Sequence, residues 1–324
     1  MKKTIISFVS IMILVSGLQS YMFPQEKLKI AIVPKGKEAF FWKSVHAGAK
    51  IGAVTSKDVE IIWKTPQPEN DKEQQISIVE ECIKEGVSGI VLSPVDDNAL
   101  VESVSKAMKK KIPVLIFDSA LKGTLGKGFI SFVGTDNRKA GNLAGENLAK
   151  ILKGKGRVVL LRYMKGQAST TEREEGFLEA LNKEKGIQLI MKDRYAGGSI
   201  EEAKKISLSI LSQLKEADGI FCPNELSTMG MLLALRGTNL AGKIKFVGFD
   251  ASIDLIEALK KGEINALVAQ DPSRMGYQSV KTIVDYISGK KIPLKIDTGV
   301  YLVTRENLND PEIQKLYSMS SGVE

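Results

Sequence analysis

From Leu28 onward, apolar and polar positions alternate in blocks. Short β-branched runs such as LKIAIV (28 to 33), VEIIW (59 to 63), GIVLS (89 to 93) and PVLIF (113 to 117) are separated by stretches of helical period, from about Phe41 to Val54, Asp71 to Glu85 and Asn98 to Lys110. Runs that are apolar on both faces, with amphipathic helices between them, predict a parallel sheet covered on both sides. The rhythm then restarts with RVVLL (157 to 161), IQLIM (187 to 191), GIFC (219 to 222) and KFVGF (245 to 249), alternating with helical runs from Thr171 to Lys183, Ile200 to Leu214 and Leu226 to Leu235. The expected fold class is α/β, built as two similar doubly wound parallel-sheet lobes.

Two of these strands end alike. VLIFDSAL (114 to 121) and VGFDAS (247 to 252) both stop in Phe-Asp followed by small residues. In open α/β sheets ligands bind outside the carboxyl ends of the strands. Asp118 and Asp250 are predicted at such ends, one in each half, together with the stretch from Pro94 to Asn98 and with Asn224. If the halves face one another, these polar groups line one cleft.

Composition narrows the partner. With 46 Lys and Arg against 38 Asp and Glu, the surplus of +8 is mild and spread along the chain, so nucleic acid is not an expected partner. The single histidine, His46, falls inside the first predicted helix, and the two cysteines, Cys82 and Cys222, lie far apart and read as small buried hydrophobes. The sequence has no transition-metal cluster of usual spacing, no G-x-S-x-G elbow and no P-loop. No catalytic residue, metal or cofactor is expected. The EREE run at 172 to 175 reads as a solvated charged face.

The first twenty residues, MKKTIISFVSIMILVSGLQS, have a basic start, an apolar run and small residues after it, the layout of an export signal, with an uncleaved, membrane-anchored N-terminus as the alternative. Cleavage after Gly17 and cleavage after Ser20 both fit. The first cysteine is Cys82, so no lipid anchor is expected at a cleaved N-terminus, and the expected location is the periplasm.

A cleft for a polyhydroxylated ligand needs directed hydrogen-bonding groups and aromatic faces. Asp118, Asp250, Asn224, Gln270 and Arg173 form the polar set; Phe40, Phe41 and Trp42 follow the first strand. Each has a plain structural alternative. The aspartates could cap helices, Arg173 could pair with glutamates on a helix surface, and the aromatics could be core.

The phrases IAIVPKGKEAFFWKSVHAGAK, GIVLSPVDDNAL, IPVLIFDSA, FVGTDN, TTEREEGF, GIFCPNE, VGFDAS and LVAQDPSRMGY, in this order and spacing, resemble the periplasmic sugar-binding proteins of the ribose-binding type, which serve ABC importers and share their fold with the effector domains of LacI-type repressors. The resemblance runs from about Leu28 to Arg305. It implies a type I periplasmic binding protein with one lobe from 28–135 plus 271–299, a second from 136–270 plus 300–324, and a three-segment hinge near Thr135, Asp271 and Gly299. It implies a sugar or sugar derivative as ligand, an inner-membrane permease as partner, and a monomer that closes on its ligand.

Carried across by position, the resemblance implies that Phe41 and Phe40 stack on the ligand and that Asp118 accepts from its hydroxyls. Arg173, Asn224 and Asp250 would act from the second lobe, with Gln270 at the hinge. Ribose binders follow the first-lobe Asp with Arg, whereas here Ser119 follows Asp118. The preceding loop reads PKGKEAFF, bringing in Lys35, which could balance an acidic sugar, donate to hydroxyls or lie in solvent. Tyr195 is a further candidate wall. A periplasmic sensor feeding a chemoreceptor or sensor kinase is the alternative function. A repressor is disfavoured by the export signal and by the absence of a helix-turn-helix before Leu28.

Overall fold

The structure, a computed structural model, describes residues 27–56 and 58–318; the export-signal reading of residues 1 to 20 lies outside them. The strands are β1 (Leu28–Val33), β2 (Val59–Trp63), β3 (Gly89–Leu92), β4 (Val114–Phe117), β5 (Ser131–Gly134), β6 (Lys155–Arg162), β7 (Gly186–Tyr195), β8 (Gly219–Phe221), β9 (Lys245–Phe249), β10 (Ala266–Gln270), β11 (Lys295–Asp297) and β12 (Val300–Val303). The helices are α1 (Phe40–Ser56), α2 (Lys72–Glu85), α3 (Val101–Lys109), α4 (Asn137–Ile151), α5 (Ala168–Leu181), α6 (Ile200–Ser209), α7 (Leu211–Glu216), α8 (Glu225–Gly237), α9 (Ile253–Lys260), α10 (Pro272–Ile287) and α11 (Pro311–Ser318).

The strands form two six-stranded sheets, ordered β11-β5-β4-β3-β1-β2 and β12-β10-β9-β8-β6-β7. The first is parallel throughout; in the second only the edge pair β10 and β12 is antiparallel. Helices cover both faces of each sheet, so the central strands are buried along their whole length, as their unbroken apolar runs require. Each sheet has an apolar cluster on either side. The two lobes are therefore separate cores, not one core cut by a groove.

The chain passes between sheets three times: through Thr135 and Asp136 between β5 and α4, through Asp271 between β10 and α10, and through Thr298 and Gly299 between β11 and β12. The first two passages share a device. Asp136 accepts from the Lys139 amide at 3.1 Å and Asp271 from the Arg274 amide at 2.8 Å, so each crossing ends in a capped helix. Thr135 Oγ1 donates to Gly299 O at 3.4 Å, tying the first passage to the third.

Several predicted helices differ in extent: the run expected from Thr171 to Lys183 is observed as Ala168–Leu181, and two others differ for a visible reason. The helix expected from Asn98 starts at Val101, because the Asp96 carboxylate accepts from the Asn98 and Ala99 amides and holds them in a turn. The single helix expected from Ile200 to Leu214 breaks into α6 and α7 at buried Ile210, where φ is −108° and ψ is 24°.

Each lobe is braced by a close helix pair, α1 with α10 and α4 with α5, and each pair meets at glycine. A Cβ on Gly276 would collide with the Val45 carbonyl oxygen, and one on Gly176 with that of Arg138. Gly176→Ala and Gly276→Ala should each lower the melting temperature by roughly 2–10 °C. Scanning calorimetry checks this, and an unchanged transition in both variants would show that the helices separate freely.

Candidate functional site

At the ends of β4 and β9 the chain makes the same unusual turn. Asp118 has φ 59° and Asp250 φ 68°, the left-handed region, which aspartate tolerates better than most residues. Each amide is held by the neighbouring strand, Asp118 N donating to Val133 O at 2.9 Å and Asp250 N to Val268 O at 2.8 Å. The preceding Phe117 and Phe249 are fully buried. Phe117 sits edge-on to Trp42, centroids 6.3 Å apart, and the Phe249 ring lies 4.0 Å from the Arg173 guanidinium carbon. In each lobe the phenylalanine thus supports a cleft residue and the aspartate enters the cleft.

The cavity between the lobes has about 410 Å³ of atom-free space, part of it continuous with solvent. On the first-lobe side, Lys35 is 5% exposed and its ammonium lies 2.9 Å from Asp118 Oδ2. Ser93 Oγ donates to the same oxygen at 2.7 Å. Phe41 and Trp42 form the aromatic wall at the start of α1, and Trp42 Nε1 donates to Glu69 Oε1 at 2.9 Å.

On the second-lobe side, Arg173 is 2% exposed and all three of its nitrogens are engaged. Nε donates to Asn137 Oδ1 at 2.8 Å, Nη1 to Pro223 O at 3.0 Å and Nη2 to Gln270 Oε1 at 2.8 Å. Gln270 Nε2 in turn donates to Asp250 Oδ1 at 2.8 Å, so an amide bridges the guanidinium to the carboxylate. Asn224 caps α8 through Oδ1 while lining the cavity. The cap was not anticipated for Asn224 from sequence, and it coexists with the place in the cavity lining.

The lobes touch across the cleft. Asn70 Nδ2 donates to Tyr163 OH at 2.8 Å, and Gln167 Nε2 donates to Asn70 Oδ1 at 2.9 Å. Lys35 donates to Gln167 Oε1 at 3.4 Å and to Ser169 Oγ at 3.3 Å. Glu225, on the second lobe, accepts from the Phe40 and Phe41 amides, each at 3.1 Å. Burial pushes the Glu225 carboxyl up to about 7, helped by Asp250 and opposed by those two amides. Burial raises Glu69 and Asp250 as well, while Trp42 pulls Glu69 back and Arg173 and Gln270 pull Asp250 back.

Of the residues singled out from sequence, Lys35, Phe41, Asp118, Arg173, Asn224, Asp250 and Gln270 converge on this cavity. Phe40 does not line it; it borders a smaller adjoining pocket together with Phe41, Asp250, Ala251, Gln270, Pro272 and Leu316, one 100° helical step before Phe41. Ser119 does not line it either, and its hydroxyl accepts from the Ser169 amide at 3.3 Å. Tyr195 lies outside it, under the Lys165 ammonium. The stretch from Pro94 to Asn98 makes a lobe contact rather than a cavity wall, with Asp97 N donating to Gly166 O at 2.9 Å.

Lys35 is not a solvated loop lysine, and the EREE run is not wholly solvated: Glu174 is 2% exposed, paired with Arg162 at 2.7 Å and accepting from the Tyr163 amide. Sequence reasoning missed Glu69, Asn70, Tyr163, Gln167, Ser169, Thr170 and Glu225. Gln167 and Ser169 flank the start of α5 one turn before Arg173, and that spacing was the available signal. Glu69 and Asn70 come from the loop before α2, where nothing in the pattern marked them. His46 stacks on Trp63 with centroids 4.3 Å apart, away from the cleft. Cys82 and Cys222 are buried in different clusters. Among the described residues, no group of His, Cys, Asp and Glu could hold a metal ion and no helix is long and apolar enough to cross a membrane.

A family model described as a periplasmic binding protein domain matches residues 30–291. The chain is 28% identical over 287 residues to a D-ribose/D-allose-binding protein of Pseudomonas aeruginosa, covering 86% of this chain and 89% of the relative. Among solved structures, an ABC transporter solute binding protein from Agrobacterium vitis with bound D-fucose superposes with a TM-score of 0.86 at 31% identity, covering 89% of this chain and 99% of that one. A carbohydrate transporter solute binding protein from Agrobacterium radiobacter in complex with D-arabinose gives 0.84 at 33% identity, covering 90% and 98%.

A carboxyl raised from its ordinary value of 4.5 to about 7 binds its proton more tightly in the folded protein than in the unfolded chain. Its contribution is therefore fullest below the ordinary value and is lost as pH rises through 7. The melting temperature should fall between about pH 5 and about pH 7.5, and Glu225→Gln should flatten part of that slope. A slope unaltered by the substitution, followed by thermal unfolding across this window, would contradict the assignment.

Proposed function

Because the chain belongs to the periplasmic binding protein family, we propose that it is the solute receptor of an ABC importer and that it captures a neutral sugar between its lobes. The observation that carries this reading is the matched polar lining. Lys35 is paired with Asp118, and Arg173 is tied through Gln270 to Asp250, so each buried cation has a carboxylate near it before any ligand arrives. A neutral polyol can exchange hydrogen bonds with such groups, whereas a sugar acid would add a negative charge beside Glu69, Asp118, Glu225 and Asp250. The relatives named above bind neutral monosaccharides, which agrees with this choice.

Mechanistically, ligand meets one lobe, and contacts from the other favour the closed form through differential affinity for it. Phe41 and Trp42 offer apolar faces to the C–H surface of the ring. Asp118 and Asp250 accept from hydroxyls, and the nitrogens of Lys35, Arg173, Asn224 and Gln270 donate. Asp118 and Asp250 stay oriented because their backbones are fixed, so little ordering remains for the ligand to impose. The closed shape is then presented to the permease. In this reading the protein is an exported, unlipidated periplasmic monomer with no catalytic step, no cofactor and no nucleic-acid partner.

A thermal-shift screen against neutral sugars, sugar acids, polyols and nucleosides should yield stabilisation by a neutral monosaccharide. A hit confined to sugar acids would overturn the neutral assignment. Asp250→Ala and Arg173→Ala should each weaken the binding of that sugar at least roughly tenfold in calorimetric titration, since a hydrogen bond to a buried charge contributes about 1.5–3 kcal/mol. Affinity unchanged in both variants would remove the proposed site.

A further inference from the structure

Several helices here bring their own caps. Asp71 serves α2, Asp136 α4, Ser199 α6, Asn224 α8 and Asp271 α10, each side chain accepting from an amide of the first turn. The first helix does not. It starts after Ala39, which has no side-chain acceptor and is a poor N-cap. Its Phe40 and Phe41 amides are nonetheless both taken, by Oε1 and Oε2 of Glu225.

Glu225 opens α8 in the opposite lobe, and its own amide donates to Asp250 Oδ2 at 2.9 Å. The cap is thus aimed by the carboxylate proposed to bind ligand. We infer that Glu225 is a helix cap supplied in trans, formed only when the lobes meet, and that it biases the open–closed equilibrium toward the closed form. Opening the cleft separates Glu225 from α1 and returns both amides to water. This rests on the two-lobe closure proposed above and assigns part of its energy to a contact between protein groups rather than to the sugar.

Because Glu225 also borders the cavity, the test uses the full chain without added ligand. Spin labels on Glu73→Cys and Lys205→Cys, exposed on α2 and α6, report the lobe separation by double electron–electron resonance, while the native Cys82 and Cys222 are buried. Glu225→Ala should lower the ratio of short to long distances about fivefold, the effect of losing one helix cap. In an Ala39→Ser background, where α1 has a local cap in both forms, the same substitution should change the ratio less than about twofold. Identical distance distributions with and without Glu225 would overturn the inference, and so would an equal drop in both backgrounds, which would assign the effect to something other than capping. No sugar enters the measurement, so a failed sugar screen and a failed cap remain distinguishable.

Discussion

The site depends first on a backbone constraint. At Asp118 and Asp250 a buried strand ends and the chain turns into the left-handed region, with the amide fixed to the adjacent strand. That turn lets a fully buried phenylalanine be followed at once by a carboxylate in the cleft. Residues with branched or bulky side chains are disfavoured there, whereas aspartate is tolerated. The recurrence of Phe-Asp in both halves is the same solution used twice.

Once two carboxylates are fixed in a buried cleft, the rest of the lining follows from the cost of burying charge. An unpaired ion in such a place is expensive, and pairing or multiple hydrogen bonds offset the cost. Lys35 answers Asp118 by direct contact, whereas Arg173 answers Asp250 through Gln270 and rests on the Phe249 ring. The two lobes have the same architecture but different local chemistry. Lys35, not an arginine after Asp118, supplies the first-lobe cation, and it also reaches Gln167 and Ser169 in the second lobe. Lys35 thus pairs within one lobe and donates to the other.

The fold was legible in the sequence because a doubly wound sheet writes itself in unbroken apolar runs, and β1, β2 and β9 match their runs residue for residue. The strand-end aspartates were legible for the same reason. Boundaries governed by side-chain turns were not, as Asp96 shows at the start of α3. Nor were groups whose role exists only between lobes. Asn70, Tyr163 and Glu225 gain their partners from segments 93, 93 and about 185 residues away, and no local pattern encodes such a meeting. Phe40 and Phe41 are adjacent in sequence, yet only Phe41 reaches the cavity, a difference set by helix phase and not by residue type.

In the proposed complex one neutral sugar is held by both strand-end carboxylates at once. A crystal structure grown with the sugar that most raises the melting temperature tests it most directly. Ring hydroxyls are expected within hydrogen-bonding distance of both Asp118 and Asp250, with Phe41 or Trp42 against a ring face. A sugar bound to one lobe alone, or outside this cleft, would contradict it.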